Sequence, residues 1–196
     1  MPDVRLVLVR HGEGNVNVQG MIGGLHGCTG LTERGREQVR ALARRWVSAS
    51  FRPDVLVSSP VRRARETADL LAASLPGLMV AEDCDLCELH VGAADGLSWS
   101  DYDARYGRFH LENEPSRAFG PGAESWAEMM VRVQGCLEEL SIRWHDQTVV
   151  MVTHAGFIVT SLLWLLAIPN VTGRAYLDPG FTSVTCWIGT ALAGTW

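Results

Sequence analysis

Short runs of β-branched and leucine residues alternate with helix-patterned segments along this chain, and few folds accept that alternation. Val4–Val9 reads as a strand buried on both faces. A helix follows, with Thr32 as N-cap and Val39, Leu42, Ala43 and Trp46 at helical spacing. Asp54–Val57 is a second strand. Ser59-Pro60 opens the next helix, with Ser as N-cap, Pro in the first turn, and Ala64, Ala68, Leu71 and Leu75 on one face. Leu78–Ala81 is a third strand. Ser98-x-x-Asp101 caps a short helix, and Glu124–Trp144 is a long amphipathic one. Thr148–Val152, a helix over Gly156–Ala167 and a strand over Ser183–Ile188 close the series. Such a pattern predicts an α/β three-layer sandwich: a mainly parallel central sheet with helices on both faces. With 196 residues and no linker or repeat, a single domain over 1–196 is expected.

The formal net charge is −5, so no broad basic face advertises nucleic acid or anionic lipid. The first apolar run is too short for a signal peptide, and Ala155–Ile168 is too short to span a bilayer. A cytoplasmic protein with no nucleic-acid or membrane partner is therefore expected. The cysteines are Cys28, Cys84, Cys87, Cys136 and Cys186, an odd count that argues against a complete disulfide framework. Cys84-x-x-Cys87 lacks the second pair that a zinc site wants, and only His90 lies close by. It reads as two partly buried thiols.

Ligands of open α/β sheets sit beyond the C-terminal strand ends. After Val9 come Arg10-His11-Gly12-Glu13. After Val57 come Ser58-Ser59-Pro60-Val61-Arg62-Arg63. After Val152 come Thr153-His154-Ala155-Gly156. Each loop alone is ordinary. Together they concentrate histidine and arginine at one edge beside helix N-termini, where an anion is favoured.

These segments resemble the histidine phosphatase superfamily, the phosphoglycerate mutase-like fold. Arg10-His11-Gly12-Glu13 with Asn17 resembles its signature, and Ser58 to Ala68 its second motif. Cys87-Glu88-Leu89-His90-Val91-Gly92 is similar to the segment carrying its acid. Pro121-Gly122-Ala123-Glu124-Ser125 resembles its Gly-Glu-Ser helix start, and Val152 to Gly156 its second histidine motif. The matches follow the family's order.

The resemblance implies a metal-independent phosphatase of small-molecule phosphate monoesters, needing no cofactor. His11 would attack phosphorus and carry a phosphohistidine. It must be neutral to do so, with the Gly12 carbonyl expected at its other ring nitrogen. Glu88 would protonate the leaving oxygen and then activate water. Arg10, Arg63 and His154 complete the catalytic set. Arg10, Asn17, Gly23, Arg63, His154 and the Ala155 N–H would hold phosphate and substrate. Arg62 and Arg65 read as rim residues, and Glu13 as an acceptor that orients a neighbour. No residues group into a metal site.

Departures from the family pattern are Gly14 in place of the usual Thr, Ala93-Ala94 in place of an acidic–aromatic pair, and a Gly20–Gly30 loop holding five glycines and no polar residue at Ile22-Gly23-Gly24. The last argues against a phosphoglycerate substrate. The short cap-like insertion at about 89–122 favours a phosphatase over a cofactor-dependent phosphoglycerate mutase, the first alternative. A non-catalytic phospho-ligand module is the second, with Trp99, Tyr102, Tyr106 and Phe109 as its docking patch; packing of a cap helix is the plainer reading of those aromatics. Arg105, Arg108 and Arg117 would bear on the rest of the substrate. Oligomeric state stays open, a homodimer included, with Trp187 and Trp196 covering either an interface or the sheet edge.

Overall fold

The computed structural model describes residues 3–108, 113–168 and 177–190, and the side chains of all of these except Asp3 and Thr190. Its elements are β1 (Asp3–Arg10), α1 (Asn15–Gln19), α2 (Glu33–Ser48), β2 (Val55–Ser58), α3 (Arg62–Ala72), β3 (Val80–Glu82), α4 (Trp99–Tyr106), α5 (Trp126–Arg143), β4 (Thr148–Thr153), α6 (Ala155–Leu165) and β5 (Val184–Thr190). One sheet runs β3-β2-β4-β1-β5. All neighbours are parallel except β5, which pairs antiparallel with β1.

Alternation along the central strands builds the three layers. Val4, Leu6 and Leu8 of β1 join Met129, Val133, Leu137, Phe157 and Ile158 in the core beneath α5 and α6. Val7 and Val9 turn the other way, with Val39, Trp46, Ala64 and Leu71 of α2 and α3. Both faces of β1 and β4 are thus covered, which is why their sequences read as near-continuous apolar runs.

Several boundaries differ from the sequence expectation. Ser59 does not cap α3. Its N-cap is Val61, and the Ser59 hydroxyl instead accepts from the Val61 N–H at 3.3 Å and faces inward. The third strand starts at Val80, two residues late, because Gly77 turns the chain at φ +84°. Helix α1 follows the Arg10–Glu13 segment and carried no sequence expectation; five residues are too few to show helical periodicity. Thr32, Ser98 and Ser125 cap α2, α4 and α5 by accepting from the N–H three residues on.

Within the 89–122 region, Tyr102 stacks on Phe119 with ring centroids 4.4 Å apart and donates to its carbonyl at 2.6 Å. Tyr102 and Tyr106 are therefore cap packing, while Trp99 packs edge-on against Tyr102 and Phe119 and keeps half its surface exposed; Phe109 lies outside the described residues. Backbone bonds Ile22 N–H to Leu97 O and Gly96 N–H to Ile22 O stitch this region to the Gly20–Gly30 loop. Trp187 lies half-buried against the α5–α6 core and donates to Ser161, while Trp196 is outside the described residues. No helix among the described residues is long and apolar enough to cross a membrane.

Candidate active site

Parallel neighbours β1 and β4 pair Arg10 with Thr153, so the loops that follow them leave the sheet side by side. His11 and His154 consequently face each other, with ring centroids 5.1 Å apart. Both are buried, at 2 % and 0 % exposure. The Arg63 guanidinium, carried on the first turn of α3 and 5 % exposed, lies between them. Its Nε donates to His11 Nε2 at 2.9 Å and its NH2 group bonds His154 Nδ1 at 3.1 Å. Its NH1 group donates to the Gly23 carbonyl at 2.7 Å.

Arginine can only donate, and that assigns both imidazole tautomers. His11 Nε2 and His154 Nδ1 must be the unprotonated nitrogens. His11 Nδ1–H then donates to the Gly12 carbonyl at 2.6 Å, the partner expected from the sequence. His154 Nε2–H donates to Ser59 Oγ at 3.0 Å, and the Ser59 hydroxyl donates onward to Cys87 Sγ at 3.3 Å. Burial, then the Arg63 charge, holds both imidazoles well below the usual histidine range. Both are neutral at pH 7, so His11 keeps a lone pair for attack.

Arg10 approaches from the other side. It bonds Asp178 at 3.1 Å and the Pro179 carbonyl, and its guanidinium lies 4.3 Å from the Phe181 ring centre. Its Nε is buried and makes no hydrogen bond among the described residues, so it retains a donor. Arg63, Asn17, Gly23, Glu88 and Ala155 line one cavity of about 430 Å³, walled further by Ile22, Trp99, Phe119 and Trp126. Asn17 Oδ1 accepts from the Gly14 N–H at 3.0 Å, which leaves its amide hydrogens for a ligand. Gly23 touches the site through its carbonyl, as a brace for Arg63.

Glu88 Oε2 accepts from the Gly156 N–H at 3.0 Å, in the first turn of α6, and Oε1 from the Leu89 N–H at 3.3 Å. The carboxyl thus sits at the cavity wall that Arg63 also lines. Glu13 accepts from the Thr32 hydroxyl at 2.8 Å, an orienting contact beside the α2 cap. Arg62 is exposed and Arg65 pairs with Asp69 and Glu82, away from the imidazoles.

Sequence reading passed over four supporting groups. Ser59 orients His154. Thr67 accepts from the Gly12 N–H at 3.1 Å. Asp95 accepts from the N–H groups of Gly24, His26 and Gly27 at 2.7–3.0 Å and so shapes the glycine-rich loop. Phe181 packs against His11 with centroids 5.9 Å apart. Ser59 and Thr67 stood inside the Ser58 to Ala68 motif; Asp95 and Phe181 gave no signal, because only the fold brings them to the loop and to His11.

Residues 6–188 match the histidine phosphatase superfamily (branch 1). The chain is 33 % identical to the glucosyl-3-phosphoglycerate phosphatase of Mycobacterium tuberculosis, over 98 % of its length and 86 % of that protein. It is also 33 % identical to the metal-independent phosphoserine phosphatase of Arabidopsis thaliana, over 78 % of this chain but only 65 % of the relative. The solved mycobacterial glucosyl-3-phosphoglycerate phosphatase in complex with VO3 superposes with a TM-score of 0.76 at 32 % identity, covering 93 % of this chain and 90 % of that one. The three layers, the order of the motifs and these similarities agree: the chain belongs to the histidine phosphatase superfamily and has its phosphoglycerate mutase-like fold.

Proposed function

We propose that this protein hydrolyses a small-molecule phosphate monoester through a phosphohistidine on His11, with Glu88 as proton donor. The observation that carries the reading is one guanidinium, Arg63, bridging two neutral buried imidazoles at 2.9 and 3.1 Å. An arriving phosphoryl group takes over the Arg63 N–H donors, and His11 Nε2 is released to attack phosphorus. Arg10, Arg63 and Asn17 share the charge on the phosphoryl oxygens, and His154 joins them when the Nδ1 that Arg63 releases takes up the proton of a monoanionic substrate. The P–O bond to the alcohol breaks as Glu88 passes its proton to the leaving oxygen. Glu88, now a carboxylate, takes a proton from water. The hydroxide attacks phosphorus, the P–N bond breaks, and inorganic phosphate leaves with His11 neutral again.

Phosphoserine and glucosyl-3-phosphoglycerate, named for the relatives, are both monoesters that also carry a carboxylate. They head the substrates to try. The test is hydrolysis of a panel of phosphate monoesters with chelator present, for wild type and His11→Ala, with acid-labile but base-stable radiolabel sought on His11. We expect activity in the presence of chelator, a labelled His11, and loss of both in His11→Ala. Equal rates for the two proteins would falsify the proposal. Conversion of 3- to 2-phosphoglycerate dependent on 2,3-bisphosphoglycerate would replace it by the mutase reading.

A further inference from the structure

Among the described residues, one group of three or more His, Cys, Asp or Glu side chains brings its donor atoms close enough to hold a metal ion, and it lies outside the phosphoryl site. Cys84 Sγ, Cys87 Sγ and one ring nitrogen of His90 lie within 4.8 Å of one another. Cys84 Sγ is 3.3 Å from Cys87 Sγ and 3.7 Å from His90 Nε2. A tetrahedral ion with bonds of about 2.3 Å to sulfur and about 2.1 Å to nitrogen needs donors about 3.5–3.8 Å apart. Two of the three edges are therefore close to that spacing.

The sequence reading dismissed Cys84-x-x-Cys87 for want of a second cysteine pair. The turn Cys84–Leu86 folds the two thiols onto one side, and the bend after Cys87 returns His90 to them. The surrounding groups hold this shape. Arg132 donates to the carbonyls of Asp85 at 2.7 Å, Cys87 at 3.0 Å and Glu88 at 3.3 Å. It also grips Glu124 at 2.9 and 2.8 Å. Glu124 Oε2 in turn lies 3.9 Å from His90 Nδ1. The same oxygen accepts from the His90 backbone N–H at 3.1 Å, which fixes the loop where Nε2 faces the thiols.

We propose that Cys84, Cys87 and His90 form a three-ligand site for a thiophilic divalent ion, zinc in the first instance. Two sulfurs and an imidazole select zinc over magnesium or calcium. Each thiol gives its proton to solvent as its sulfur takes the ion. All three residues line a second cavity of about 430 Å³, from which water takes the fourth position. The site flanks the proposed acid on both sides, Cys87 before Glu88 and His90 after it, so an ion there fastens the acid loop. Through Cys87 Sγ and Ser59 Oγ it also abuts His154.

The experiment titrates the reduced, thiol-counted full chain with cobalt(II), then displaces the cobalt with zinc. One equivalent should produce thiolate-to-cobalt charge-transfer absorption with intense tetrahedral visible bands, and zinc should abolish both. Zinc should also raise the thermal midpoint, since an ion that binds only the folded state stabilises it. Cys84→Ser and His90→Ala change exposed and half-buried side chains outside the phosphoryl site. Each should weaken binding about tenfold or more, erase the zinc-dependent shift and still hydrolyse p-nitrophenyl phosphate. Cys186→Ser should bind as wild type. Absence of the charge-transfer band in reduced wild type overturns the site, and so does a band that Cys84→Ser and His90→Ala both leave unchanged.

Discussion

Arg63 Nε donates to His11 Nε2 across 2.9 Å, so the nitrogen proposed to attack phosphorus is capped until an anion takes the arginine away. The same guanidinium spans to His154 and to Gly23. Lysine offers a point charge on a flexible stem and cannot reproduce three directed contacts. Arg63→Lys should therefore lower kcat/KM by about 10²–10³, the usual loss for one developing-charge donor. Steady-state kinetics on the best monoester substrate checks it; a change below threefold would mean that Arg63 is only structural.

The two imidazoles also make stability depend on pH. Their folded pKa values are depressed by burial and by Arg63, whereas in the unfolded chain each titrates near 6.5. The unfolded state thus binds more protons as pH falls below 6.5, and the stability present above that pH is lost going down. Two histidines give a limiting slope of about 2.7 kcal/mol per pH unit. Urea unfolding at pH 7.5, 6.5 and 5.5 should show a plateau and then a fall. In His11→Gln the slope below pH 6.5 should halve.

Much of this site was legible because its residues sit where α/β topology must put them. Strand-end loops after β1, β2 and β4 converge by parallel pairing, so the meeting of His11, Arg63 and His154 follows from pattern and position. Ser59 was misread because Ser-Pro before an amphipathic helix carries the same letters as an N-cap, and tertiary contacts to His154 and Cys87 claimed the hydroxyl instead. The approach of His90 to the paired thiols was out of reach of the sequence for a related reason. Spacing along the chain gives no measure of how sharply a loop bends, and the bend here is set by Arg132, more than forty residues away in sequence. Asp95 was likewise invisible, since its three N–H partners lie about seventy residues earlier.

Glu88 has two duties in the proposed cycle, and the leaving group separates them. An alkyl monoester needs the proton in the first step, so Glu88→Gln should lower kcat by about 10²–10⁴ there. p-Nitrophenolate leaves without help, and the first step should survive. Water activation is still lost, so phosphoenzyme accumulates. Rapid mixing of Glu88→Gln with p-nitrophenyl phosphate should show a burst approaching one nitrophenolate per active site, followed by slow turnover. A linear trace with wild-type rate would remove Glu88 from the mechanism.

Gly156 gives an independent handle on the same carboxyl. A Cβ at this position of α6 would collide with Glu88 Oε1, the free end of a flexible side chain, while the Gly156 N–H is the donor that holds Oε2. Alanine is the better helix former by about 1 kcal/mol, and the backbone here is not in the left-handed region. Gly156→Ala should therefore keep its thermal midpoint within a few degrees of wild type while pushing the Glu88 carboxyl out of place. Turnover of alkyl monoesters should drop at least tenfold, about 1.4 kcal/mol in barrier. Binding of inorganic phosphate, which depends on Arg63 and its neighbours, should change little. Activity lost together with folding would show that the glycine serves packing alone, and unchanged activity would show that the carboxyl works from a different position than the one seen against Gly156.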